Sequence, residues 1–189
     1  MTRVLVVAFD GMDKDLIEQF ELEHVVQDEY GQIDNQTGMK ETNTDELFAS
    51  FITGKTWKEH GVTGIKEWDN PVLNTIDRIF PRRGPLFRIG TFGRDLLTGI
   101  GGFERERYTR DKLQCESLFD KVPDSRSLNV PVHDVNPDLY VFPKVLDRYG
   151  IDHAEREAEK EFEQRREEFA EAMDDEPATF FMAHFHYID

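Results

Sequence analysis

The stretch Val4-Leu5-Val6-Val7-Ala8-Phe9, followed by Asp10-Gly11, decides the fold. A continuous apolar run of this length that ends at a turn predicts a buried strand of a parallel sheet. Near the other end of the chain, the Phe-rich segment 179–187 predicts a second buried strand, which ends at Asp189. Ligands of parallel sheets bind beyond the carboxyl ends of the strands, and both Asp10 and Asp189 lie at such ends.

Helical patterns separate these two strands. The clearest covers 154–173, where an apolar stripe lies among Glu, Arg and Lys, formed by Ala154, Ala158, Phe162, Phe169 and Met173. Further helices are predicted over 13–20, 45–52 and 113–121, a short strand over 127–131 and a weaker strand over 24–26. This order predicts an α/β fold, with a parallel sheet flanked by helices in one domain, 1–189. The Gly- and Pro-rich segment 69–110 is predicted to be a loop-rich insert or lid within it.

The composition limits the function. The 189 residues contain 39 Asp and Glu against 23 Lys and Arg, a formal net charge of -16, which argues against a nucleic-acid-binding or anionic-membrane surface. No apolar run approaches the roughly 20 residues that span a bilayer, and the N-terminus does not resemble a signal peptide, so we expect a cytoplasmic protein. The single cysteine, Cys115, excludes an internal disulfide and a thiolate zinc site.

The acidic residues are dispersed along the whole chain. Such a surface is typical of proteins from salt-loving archaea, in which carboxylates maintain solubility while salt screens their repulsion. A dedicated acidic binding face is the alternative interpretation.

Three side chains are candidates for chemistry at the sheet edge. Asp10 follows the first strand, Thr44 precedes a predicted helix, and Asp189 ends the last strand. Carboxylates and a hydroxyl are suitable ligands for divalent metals, and a metal can activate a threonine hydroxyl as a nucleophile. Taken alone, the same residues also fit a helix cap and turn formers. His184 and His186 lie on one face of the last strand by alternation, and fit either the core or the metal edge.

The segments 4–12, 44–62 and 180–189 resemble parts of the type I phosphodiesterase/nucleotide pyrophosphatase (sulfatase-like) branch of the alkaline phosphatase superfamily, the last of them the strand that delivers a metal-binding Asp in the family's Asp-x-x-x-His motif. The segment 4–12 is similar to the family's opening strand with its Asp-Gly motif. The segment 44–62 is similar to its nucleophile motif, Thr-x-Pro-x-x-x-Ser-x-x-Thr-Gly-x-x-Pro-x-x-His-Gly-Ile/Val. Ser50, the pair Thr53-Gly54 and the run His60-Gly61-Val62 keep that register without gaps, whereas Glu46 and Trp57 replace the two prolines.

The resemblance implies a hydrolase of phosphodiesters, phosphomonoesters or sulfate esters that acts on small molecules with two divalent ions, Zn²⁺ or Mn²⁺. Thr44 would be the nucleophile and would bind one ion with Asp10, Asp189 would bind the second ion, and His60 would be structural. The family pattern continues with His and Asp-His ligands beyond Asp189, so the chain would be an N-terminal portion with an incomplete alkaline phosphatase-like sheet. The alternative is a catalytically inactive remnant or binding module of the same fold.

Overall fold

The structure, a computed structural model, describes residues 3–12, 14–26, 28–29, 31, 37–64, 66–68, 70–79, 105–134, 146, 148–175 and 178–186. The strands are β1 (Val4–Phe9), β2 (Lys66–Trp68), β3 (Arg105–Arg107), β4 (Ser125–Leu128) and β5 (Phe180–Phe185). The helices are α1 (Lys14–Gln19), α2 (Thr44–Thr53), α3 (Trp57–His60), α4 (Pro71–Ile79), α5 (Leu118–Lys121) and α6 (Ile151–Asp174), with a 3₁₀ turn at Arg110–Lys112.

The last strand of the chain lies at the centre of a three-stranded parallel sheet with the order β1-β5-β4. Val4 pairs with Phe180 and Phe9 pairs with Phe185, while Ser125 of β4 pairs with Phe180 from the other side. All six residues of β5 are buried, as a central strand covered on both faces requires. The predicted α/β class is thus confirmed in a coarse form, a mixed α/β structure whose small parallel sheet is flanked by helices.

Helices cover both faces of β5. On one face, α2 and α5 contribute to a buried cluster with the sheet, which comprises Phe48, Ile52, Phe119, Val130, Phe180 and Met182. On the other face, α6 places Phe169 at 5.7 Å from both Phe181 and Phe185, measured between ring centroids, and Phe162 lies beside Phe185. The alternation of side chains along β5 therefore assigns Phe180 and Met182 to one layer and Phe181 and Phe185 to the other.

Four expectations about local structure need correction. Within the described part of the chain β1 pairs only with β5, so Val4 and Leu5 are about half exposed instead of buried. The segment 24–26 contains a turn and no strand, and of the helix predicted over 113–121 only the turn α5 forms. In α6, Ala172 packs against the sheet and Met173 is exposed. The apolar pattern within one segment does not show which other strands will pair on each side of it, and so it does not show which of its residues will be covered.

The predicted insert 69–110 is described only at its two ends. Helix α4 lies at its beginning, and β3 near its end pairs antiparallel with β2. The segment 80–104 lies outside the described residues, so the interpretation as an insert or lid remains a prediction. None of the helices in the described ranges combines the length and the apolar character needed to cross a membrane.

Candidate metal centre

The carboxyl ends of β1 and β5 bring an acid and a histidine together. The backbone N–H of Asp10 donates to the carbonyl of Phe185 at 2.9 Å, so the parallel ladder continues one residue past the end of β1. At this point the Nδ1 atom of His186 lies 2.9 Å from Oδ2 of Asp10. The two residues are 176 positions apart in the chain and meet because β1 and β5 are neighbours in register.

His184 lies two residues earlier on the same face of β5. Its side chain is 2% exposed, and its Nε2 atom lies 4.0 Å from Oδ2 of Asp10. The ring packs edge-on against Phe48 of α2, with 4.7 Å between the centroids. Nδ1 lies 3.2 Å from the backbone carbonyl of Asn129, an acceptor only, so Nδ1 carries the proton and donates. Nε2 has no hydrogen-bond partner and directs its lone pair into the cluster.

Asn129 holds this histidine from the end of β4. Its side-chain amide donates to the backbone carbonyl of His184 at 3.2 Å, while its own carbonyl accepts from the imidazole. Asn129 is buried and has a φ of 59°, a left-handed conformation that Asn adopts more readily than most residues. The reciprocal pair of bonds therefore sets the tautomer and the orientation of the His184 ring.

Thr44 enters the site from the N-terminus of α2. Its Oγ1 donates to Oδ2 of Asp10 at 3.5 Å, although the residues lie 34 positions apart. The cap of the helix is Asn43, whose side-chain oxygen accepts from the backbone N–H of Glu46 at 2.9 Å. Thr44 is the first residue of the helix, not the residue before it, so the alternative of a simple capping role does not apply.

Glu46 anchors the loop that leads into α2. This residue is fully buried, and its carboxylate accepts hydrogen bonds from the backbone N–H groups of Lys40 and Glu41. Burial raises the pKa of Glu46, and these hydrogen bonds act in the opposite direction. Glu46 stands where the resemblance expects a proline, and its hydrogen bonds hold the loop at the start of the helix.

His60 lies behind α2, where the resemblance expects a structural histidine. It is fully buried and accepts from the backbone N–H of Val62 through Nδ1 at 3.1 Å. The proton is thus on Nε2, which donates to Oγ of Ser50 at 3.0 Å. These bonds connect the middle of α2 to the turn after α3 and leave His60 outside the Asp10 cluster.

Burial and neighbouring charges shift the pKa values of the acids and of His184 in this site. Burial tends to raise the pKa of Asp10, but the hydrogen bond with His186 and the charges of both histidines outweigh it and leave the pKa lowered. Burial lowers the pKa of His184 to about 4. Beside Thr44, burial raises the pKa of Asp45 to about 6, against the opposing charge of Arg107. At neutral pH the cluster thus holds an ionised Asp10 and a neutral His184.

Two of the three predicted site residues meet at this edge. Asp10 and Thr44 lie together, whereas Asp189 lies outside the described residues and its role as a ligand remains a prediction. The sequence left open whether His184 and His186 belong to the core or to the metal edge, and the structure places both beside Asp10. A His-x-His pair that ends a buried strand was the available signal, since a period of two directs both rings to one face.

Asp10, His184 and His186 form the group best suited to hold a metal ion among the residues that the structure describes. Each offers one ligand atom, and these atoms all lie within 4.8 Å of one another. A comparison of the chain with protein-family models, curated proteins and solved structures gives no significant match.

The wild type should have a higher free energy of unfolding than His60→Gln, and this difference should become smaller as the pH falls from about 8 to about 5. Burial lowers the pKa of His60 below its ordinary 6.5, so the unfolded chain takes up a proton before the folded one does. The stability that neutral His60 contributes is therefore complete above 6.5 and is lost as the pH falls below it, whereas glutamine does not titrate. At high pH the loss of the two His60 hydrogen bonds, one buried and one half-buried, should cost about 1–3 kcal/mol. Urea denaturation across this range measures the difference, and a constant or widening difference would contradict the assignment.

Proposed function

We propose that the chain is a metal-dependent hydrolase of phosphate or sulfate esters, with Thr44 as the nucleophile and a fold of the alkaline phosphatase type. One observation carries the proposal: the Thr44 hydroxyl, at the first residue of α2, lies 3.5 Å from the Asp10 carboxylate at the carboxyl edge of a parallel sheet. The resemblance of the segments 4–12 and 44–62 to the family's strand and nucleophile motifs supports the same roles from the sequence.

The position of Thr44 suits attack on an anionic ester. The dipole and the first backbone N–H groups at the N-terminus of a helix favour a phosphate or sulfate group, although in α2 the N–H of Glu46 already donates to Asn43. Oγ1 of Thr44 would lose its proton and form a bond to phosphorus or sulfur, and the bond to the alcohol oxygen of the ester would break, with the alcohol leaving in protonated form. Water would then attack the esterified threonine, one of its protons would restore the hydroxyl, and phosphate, a phosphomonoester (from a diester) or sulfate would be released. Asp10 accepts the hydrogen bond from this hydroxyl and so orients its lone pairs.

The donor set fits a divalent metal ion. Asp10 has a lowered pKa and stays ionised, and a carboxylate oxygen beside a hydroxyl oxygen suits Zn²⁺ or Mn²⁺. Asp10 and Thr44 would hold one ion, and Asp189 would hold the second. A bound ion would supply positive charge that acidifies the threonine hydroxyl and offsets the charge of the transferred group.

The substrate would be a small ester. The chain carries a net charge of -16, so a long nucleic-acid backbone would be repelled by its surface, whereas a single phosphate or sulfate group binds through local donors at the helix end. Among the described residues at the site, no side chain distinguishes phosphate from sulfate, so both ester types are tested.

Trapping the covalent intermediate tests the proposal. The protein is incubated with Zn²⁺ or Mn²⁺ and a nitrophenyl phosphate or sulfate, quenched in acid, and digested for peptide mass spectrometry. We expect a phosphoryl or sulfuryl group on the peptide that contains Thr44, and none on the same peptide of Thr44→Ala. Turnover with the group on another residue would contradict the nucleophile assignment. A metal-loaded protein with neither turnover nor label would favour the alternative of a non-catalytic binding module.

A further inference from the structure

The function proposed for Asp10 and Thr44 gives no role to the two histidines at the end of β5, His184 and His186. We propose that Asp10, His184 and His186 together bind one divalent transition-metal ion of the Zn²⁺ class, so that nitrogen as well as oxygen ligands hold the metal beside Thr44. This inference deepens the proposed function and rests on it for the use of the metal, but its test measures binding alone.

The sheet itself assembles the three ligands. Ala8 pairs with His184 in the parallel register of β1 and β5, and Asp10 follows two residues after Ala8, level with His186. Residues two apart on a strand share a face, so both rings and the carboxylate point to the same side of the sheet edge. Ligands carried on paired strands are held more rigidly than ligands carried on loops.

The hydrogen bond from Nδ1 of His184 leaves Nε2 deprotonated and able to bind a metal ion. Metal-bound histidines commonly donate their second N–H to a carbonyl or carboxylate, which sets the tautomer and raises the basicity of the ligating nitrogen. The Asn129 carbonyl provides this contact to Nδ1 at 3.2 Å. The opposite nitrogen, Nε2, is buried without a hydrogen-bond partner and faces Asp10. A buried acceptor left unpaired is costly, and an ion at this position would satisfy it.

The distances suit a single ion. Ligand atoms about 2.0–2.1 Å from a tetrahedral Zn²⁺ lie about 3.4 Å from one another. Oδ2 of Asp10 lies 2.9 Å from Nδ1 of His186 and 4.0 Å from Nε2 of His184. These separations bracket that value, so small side-chain movements, with release to solvent of the proton that Nδ1 of His186 donates to Asp10, would complete the site. Three protein ligands would leave a coordination position open toward Thr44, whose Oγ1 lies 3.5 Å from the same Asp10 oxygen.

The donor types select the class of ion. Imidazole nitrogen suits Zn²⁺, Co²⁺, Ni²⁺ and Cu²⁺, whereas Mg²⁺ and Ca²⁺ prefer sites made entirely of oxygen. With two imidazoles for one carboxylate, Zn²⁺ and Co²⁺ should bind far more tightly than Mg²⁺ or Ca²⁺. Oxygen ligands from Asp10 and Thr44 alone would produce no such preference.

Titration of the full, metal-free chain with Co²⁺ tests this site, because Co²⁺ bound by nitrogen ligands at low coordination number absorbs visible light far more strongly than hydrated Co²⁺. We expect one Co²⁺ per chain with this absorption, displaced by Zn²⁺ and unaffected by a large excess of Mg²⁺. His186→Gln should weaken Co²⁺ binding by a factor on the order of 100 or more, and His184→Gln likewise. His24→Gln, the same change at an exposed histidine, should bind as the wild type does.

Circular dichroism establishes that each variant is folded. If His184→Gln does not fold because His184 is buried, the Co²⁺ affinity of His186→Gln, a change at a half-buried residue, tests the site. The proposal is overturned by a folded wild type that shows no Co²⁺ absorption, by wild-type affinity in folded His186→Gln, or by Mg²⁺ that displaces Co²⁺ at equal concentration. Thr44→Ala separates the two proposals. If Thr44→Ala still binds Co²⁺, the metal site is supported whether or not the protein hydrolyses esters. If Thr44→Ala hydrolyses esters at the wild-type rate, only the assignment of Thr44 as the nucleophile is contradicted.

Discussion

Thr44→Ala should lower the rate of ester hydrolysis by a factor on the order of 10⁴ or more, because loss of a covalent nucleophile leaves only binding and electrostatic contributions to catalysis. The fold should remain intact. Thr44 is half-buried, Asn43 caps the helix, and the Thr44 hydroxyl donates only to Asp10 among the described contacts. The measurement is the kcat for a nitrophenyl ester with the metal present, with the unfolding midpoint recorded alongside.

Thr44→Ser is the matched control for this change. It keeps an oxygen at the same position and removes only the methyl group, so it should retain turnover within roughly 100-fold of the wild type. Two results would contradict the assignment. One is wild-type turnover in Thr44→Ala, and the other is an equal loss in the alanine and serine variants, which would indicate that Thr44 is needed for its shape and not for its hydroxyl.

Ile52→Ala should destabilise the protein by about 2–5 kcal/mol, the largest effect on stability that we expect from a single change. Ile52 is 0% exposed and belongs to the cluster in which α2 packs against Phe180 and Met182 of β5. Removing three carbons there loses burial and leaves a cavity between the helix that carries Thr44 and the strand that carries the histidines. Urea denaturation, monitored by circular dichroism, measures the loss.

The neighbouring residue provides the control. Phe51 lies on the same helix but is 49% exposed, so Phe51→Ala should cost about 0.5 kcal/mol or less although it removes a larger side chain. Ile52→Val should fall between the two, at about 0.5–1.5 kcal/mol. Equal losses in Ile52→Ala and Phe51→Ala would contradict the packing of α2 on the sheet.

The elements with strong apolar patterns are those that the sequence predicts well. Strand β1 has the predicted bounds, and helices α2 and α6 begin and end within three residues of theirs, because each has a face that is removed from water. The helix predicted over 113–121 is mostly absent. Leu113 contacts the core from the end of the 3₁₀ turn, and Leu118 and Phe119 contact it from the single turn α5. Isolated apolar spacing does not distinguish this arrangement from one continuous helix.

The site was predictable only in part. Asp10 and Thr44 follow from a strand end and a helix start, which are local features of the chain. The contribution of Asn129 was not predictable, because its carbonyl reaches His184 across 55 positions and its left-handed backbone has no sequence signal beyond the residue type. Glu46 would ordinarily be assigned to the surface, since a carboxylate is buried only where backbone donors meet it.

By itself, the amino-acid sequence determined the α/β class, the acidic surface and two of the side chains at the sheet edge. These depend on periodicity, composition and local motifs, all of which act within a few residues. Only the tertiary structure decided that β5 lies between β1 and β4, and hence that His184 and His186 stand beside Asp10. The physical reason is that strand order depends on which apolar faces pack together across the whole chain, a property that no single segment contains.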